Sequence, residues 1–150
     1  MIAKDVKLIE YSKTVDRWNS ITHAVGAVLS VPALVILFLR ADGARAGSSA
    51  LIYGLSMLAV YTVSAVYHGL KSGEAKRRAR LADHSAIPVL IAGTATPCAL
   101  LTLYEISVPH SITVFAIAWF CAAFGVISKL FLTPSRIAIE GTTTMNLLQP

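Results

Sequence analysis

Two side chains able to handle protons or bind a metal stand one helical turn apart near the end of a long apolar run: Ser64 and His68, in the stretch SAVYH. A spacing of four puts both on one face of a helix. An imidazole at membrane depth is costly to place and marks a site by default. The same residue also suits an interface, where its ring nitrogens meet headgroups or a neighbouring helix, and spacing alone leaves both readings open. Beyond a basic stretch, Asp83 opens the next apolar run at the level of His68. A carboxylate there can orient a water or a ligand across the helix gap. It equally suits an N-cap, where the helix dipole favours its charge. His84 falls about 100° further round the helix, pointing away from Asp83 toward the interface.

The elements that must position these groups follow from hydropathy. Of 150 residues, 55% are hydrophobic and 14% charged, against about 25% charged in an ordinary soluble domain. The apolar residues gather in four runs, Ser20 to Leu39, Ala50 to Leu70, Ser85 to Leu103 and Ser111 to Leu132. Each approaches the roughly 20 residues a helix needs to cross the hydrocarbon. Alternating segments of about 10 residues, the mark of a membrane barrel, are absent from the sequence. The fold class expected is therefore all-α, a multi-pass transmembrane helical bundle. It has an interfacial segment over 1–18, four spans within 19–133 and a polar tail over 134–150 that starts with a helix stop at Pro134.

The net charge of +5 does not point to nucleic acid. Lysines and arginines fall before the first span, between the second and third, and at or beyond the end of the fourth, eleven in all. Only Arg40 and Arg45 lie on the other side. This asymmetry sets the N-terminus in the cytoplasm and makes membrane lipids, with their anionic headgroups, the natural partners. No nucleic-acid partner is expected. Cys98 and Cys121 fall inside spans and read as small packing residues. Along the first span, Asn19, His23, Gly26 and Ser30 form a stripe of small and polar residues, the kind membrane helices use to pack on one another. His23 is expected to hydrogen-bond between helices, and His110 to be solvated in the outer loop. Leu8, Tyr11, Val15 and Trp18 are spaced for a helix lying at the interface.

Three stretches in order, NSITHAVG at 19–26, SAVYH at 64–68 and ADHSAIPVLIAGTATP at 82–97, resemble the successive motifs of the bacterial hemolysin III family. That family belongs to the larger group of progestin and adiponectin receptor-like membrane proteins, and the resemblance covers residues 16 to 133. It implies a seven-helix fold, of which four spans are present here, a cytoplasmic N-terminus, and residence in the bacterial inner (plasma) membrane. It also implies cytolytic, pore-forming activity, with homo-oligomers possible. The alternative it carries is a zinc-dependent hydrolase acting on lipid amides or esters. In that reading His68 is a zinc ligand with Ser64 as its partner, and Asp83 lies near the zinc-bound water. The family's other two histidine ligands come from an H-x-x-x-H motif on the last helix. The histidines here are 23, 68, 84 and 110, so that pair is missing and the zinc site is incomplete in this chain. Ala95 stands where the family usually has tyrosine, and Asp16 where glutamate is common.

Overall fold

A computed structural model describes residues 11–146, with side chains for 11–131. The expected interfacial stripe can thus be followed only from Tyr11 onward. Helix α1 spans Lys13–Leu39, α2 Gly43–Gly69 and α3 Glu74–Pro97. A π-helical turn, Cys98–Leu103, and the short α4, Tyr104–Ile106, carry the third span to its end, and α5 runs over Val108–Asn146. No strand occurs among the described residues. Among the described residues four helical segments are long and apolar enough to cross a membrane.

Two boundaries differ from the sequence expectation. The third helix begins at Glu74, so the basic stretch from Lys76 to Arg80 is its first turns and Asp83 lies well inside it. Asp83 is therefore not an N-cap. Hydropathy read the stretch as a loop because it is charged, yet Ala, Glu, Lys and Arg are all good helix formers. Nor does Pro134 stop the last helix, which continues to Asn146 where a polar tail was expected. A proline inside a long helix removes one backbone bond, and membrane helices tolerate that loss; Pro32 and Pro88 likewise sit inside α1 and α3.

Each span packs on its sequence neighbour, α1 on α2, α2 on α3 and α3 on α5, and the described parts of α1 and α5 do not meet. The bundle is thus an open row. Its interfaces are lined by small residues: Ser30, Ser49, Gly54, Ser56, Ser64, Ser85, Ala92, Gly93 and Thr96 are buried. Large apolar side chains such as Val28, Leu29, Ile91, Phe120 and Phe124 point outward. This inverts a soluble protein, because lipid is as apolar as leucine and only close backbone approach is gained by burial. A β-carbon on Gly93 would run into the Ser56 side chain, so glycine sets the α2–α3 distance. Most buried hydroxyls bond back to their own helix, as Ser30 does to the Gly26 carbonyl at 2.7 Å and Thr96 to that of Ala92 at 2.8 Å. Cys98 and Cys121 are exposed rather than packed.

The π turn follows Pro97, which has no N–H to donate. Ser111 at the start of α5 donates to the Ala99 carbonyl within this turn at 2.8 Å. Trp119 donates to the Thr96 hydroxyl at 3.1 Å. The neighbouring helix thus adds a donor to one carbonyl of the irregular turn, which also accepts from the Tyr104 N–H.

Candidate functional site at the basic end of the helices

Ser12 caps α1, its hydroxyl accepting from the Val15 N–H at 3.3 Å, and this fixes Asp16 in the first turn. Antiparallel packing brings the last turn of α2, with His68, to the same level, and the first turn of α3 brings Lys76. Asp16 joins all three helices. One carboxylate oxygen lies 2.9 Å from His68 Nδ1 and the other accepts from Lys76 Nζ. The partners stand 52 and 60 residues from Asp16 along the chain. Lys76 is 5% exposed, rare for a lysine and possible here because its charge is paired. Its ammonium also lies 5.5 Å from the centre of the Tyr67 ring.

A carboxylate facing Nδ1 selects the tautomer with the proton on that nitrogen and leaves the lone pair on Nε2. This is the arrangement by which proteins orient histidine as a base or a metal ligand. Rings fix the imidazole further. His23 stacks on it with centroids 6.0 Å apart and planes 6° from parallel, Tyr67 lies at 4.6 Å and Tyr11 at 5.9 Å. His23 thus meets α2 ring to ring, against His68 and Tyr61, instead of through the interhelical hydrogen bond expected of it. Ser20 supplies that bond, donating to the Ala65 carbonyl at 2.9 Å.

Ser64 is buried on the His68 face one turn deeper. Asp83 is half-buried at the same end, within electrostatic reach of the Tyr67 hydroxyl. The carboxylate that bonds His68 is therefore Asp16, not Asp83. His84 is half-buried with Arg80 3.4 Å away. His110, in the first turn of α5 at the opposite end, is exposed and bonded to Ser107. Asp16 and Lys76 escaped notice in the sequence because an acid before a span and a lysine in a basic stretch look like topology signals. The available clue was Asp16 standing where the resembling family carries glutamate.

The donor set does not fit zinc on its own. Among the described residues no three His, Cys, Asp or Glu side chains gather closely enough to hold a metal ion. His68 offers one nitrogen where zinc takes three or four protein ligands.

A family model described as Haemolysin-III related matches residues 11–148. The chain belongs to the haemolysin-III related family. It is 40% identical over 116 residues to "Hemolysin-3" of Bacillus cereus, covering 75% of this chain and 52% of that one. It is 40% identical over 127 residues to "Hemolysin-3 homolog" of Bacillus subtilis (strain 168), covering 81% and 57%. The chain thus matches little more than half the length of these relatives. No solved structure matches it. As a haemolysin-III related chain with four helices able to cross a bilayer, it is a multi-pass membrane protein.

Proposed function

We propose that this chain carries the acid–base half of a membrane hydrolase that cleaves an amide or ester bond of a lipid at the cytoplasmic leaflet. The observation that supports this reading is the Asp16–His68 pair, which fixes the tautomer and orientation of a nearly buried imidazole and leaves Nε2 free. Nε2 takes a proton from water as the water oxygen adds to the carbonyl carbon. It returns that proton to the leaving amine or alcohol as the C–N or C–O bond breaks, giving a fatty acid and the released head. Acid–base help of this kind contributes about 10²–10⁴-fold. Asp16 stabilises the transient imidazolium, Lys76 keeps Asp16 ionised, and Ser64 and Asp83 line the same end as groups able to hold the water or the carbonyl. Zinc enters this scheme only with donors from outside the described residues, and no step here depends on it.

A second reading, membrane permeabilisation, draws support from the name of the 40%-identical Bacillus cereus relative, "Hemolysin-3". One experiment separates the two. The detergent-solubilised chain and its His68→Ala variant are assayed for zinc content, for hydrolysis of fluorescent fatty-amide and fatty-ester probes, and for erythrocyte lysis. Probe hydrolysis that falls at least a hundredfold in the variant supports the hydrolase. Lysis unaffected by the variant, without hydrolysis in either protein, sinks it and leaves permeabilisation. Near one zinc per chain, lost in the variant, would add a metal to the site.

A further inference from the structure

The polar knot around Asp16 does not use all the cations at this end of the molecule. Arg78 pairs with Glu74 on its own helix. Arg80 and Lys129 meet no carboxylate among the described residues. Helices α3 and α5 are antiparallel, and their register is set at Gly125, where an added β-carbon would lie 3.0 Å from the Pro88 ring. One turn from this contact toward the basic end, α3 carries His84 and α5 carries Lys129. One turn further along α3 stands Arg80, its Nε 3.4 Å from His84 Nε2. Lys129 acts electrostatically on His84 from across the groove. Arg80 and His84 are half-buried and Lys129 is exposed, so an incoming group can reach the cluster from the Lys129 side. Asp83 also reaches His84 electrostatically, but it is one acid beside two fixed cations and an imidazole.

Arg80 and Lys129 repel one another unless an anion bridges them, while His84, its Nε2 accepting from Arg80 Nε, keeps its Nδ1 proton to donate. Arginine's planar fork matches two oxygens of one phosphate, while lysine adds a point charge. The imidazole supplies a further donor. Anionic phospholipids are the abundant phosphate carriers at the level where this cluster sits, and exposed apolar residues, Ile87 on α3 and Ile127 on α5, lie on the hydrocarbon side of it. We propose that Arg80, His84 and Lys129 form a binding site for the phosphate group of an anionic phospholipid, wedged between α3 and α5. A choline headgroup brings its own positive charge into the cluster and is disfavoured. This site is separate from His68 and does not depend on the hydrolytic reading.

Native mass spectrometry of the full chain, with phosphatidylglycerol, phosphatidylcholine or inorganic phosphate added to the detergent, tests the proposal. The chain retains phosphatidylglycerol in preference to phosphatidylcholine. The variant Arg80→Gln/Lys129→Gln lowers that retention about thirtyfold, as the loss of two surface cations implies. Arg80→Lys/Lys129→Arg, which keeps both charges, largely preserves retention, and Arg45→Gln at the opposite end leaves it unchanged. Equal retention of the two lipids, or retention unaffected by the double Gln variant, overturns the site. Displacement of phosphatidylglycerol by millimolar inorganic phosphate overturns the lipid as its source.

Discussion

Replacing Asp16 by Asn tests the three-helix knot directly, because the amide oxygen keeps an acceptor for His68 Nδ1 while Lys76 loses both its counter-charge and its acceptor and faces an NH2 donor. The Lys76 side chain is 6% exposed and that of Asp16 17%, so water screens the pair little. Breaking a buried pair by removing one partner costs about 3–5 kcal/mol. The Tyr67 ring, 5.5 Å from the ammonium, stays behind and offsets about 0.5–2 kcal/mol of this. The net loss is then about 1–4.5 kcal/mol, which at about 2–4 °C per kcal/mol for a chain of this size lowers Tm by roughly 2–18 °C. Lys76→Met in the Asp16→Asn background removes the stranded cation and should restore most of the loss, since buried pairs exchange for apolar groups at little net cost. Thermal unfolding of detergent-solubilised chains, followed by loss of the monodisperse peak in size-exclusion chromatography, measures all three. An unchanged Tm for Asp16→Asn, or a double variant no better than the single one, would refute the reasoning.

Other outcomes follow from the same contacts. Arg45→Gln breaks an ion pair whose side chains are 42% and 70% exposed, so the loss stays below about 1 kcal/mol and Tm barely moves. Gly93→Leu forces a side chain into Ser56 and costs about 1–3 kcal/mol by overpacking, read in the same unfolding assay. Ser111→Ala removes one of two donors to the Ala99 carbonyl, which keeps the Tyr104 N–H, a loss of about 0.5–1.5 kcal/mol. Ser85→Ala runs the other way. Among the described buried side chains its hydroxyl is the one without a hydrogen-bond partner, so the variant is as stable as the parent or up to about 1 kcal/mol more so.

Hydropathy and charge were enough to give the all-helical class and the four spans, and three short motifs kept in order carried the resemblance to the family, because each depends on residues close together in sequence. The stripe of Asn19, His23, Gly26 and Ser30 already marked the face of α1 that meets α2, since small residues are what such an interface needs. Other features had no local signal. Lys76 looked like one more cation in a loop, and only packing shows it buried in a helix. Asp83 looked able to orient a water or a ligand across the gap from His68 because both sit at the same level, yet level along the membrane normal does not say which carboxylate bonds the imidazole. Ser12 caps α1 so that Asp16 faces α2, and the close approach permitted by small residues then brings Lys76 to the same carboxylate. His68 was legible as a reactive residue from its type and depth. Which acid holds it, which cation balances that acid and which nitrogen is left free are long-range facts, settled when helices distant in sequence pack side by side.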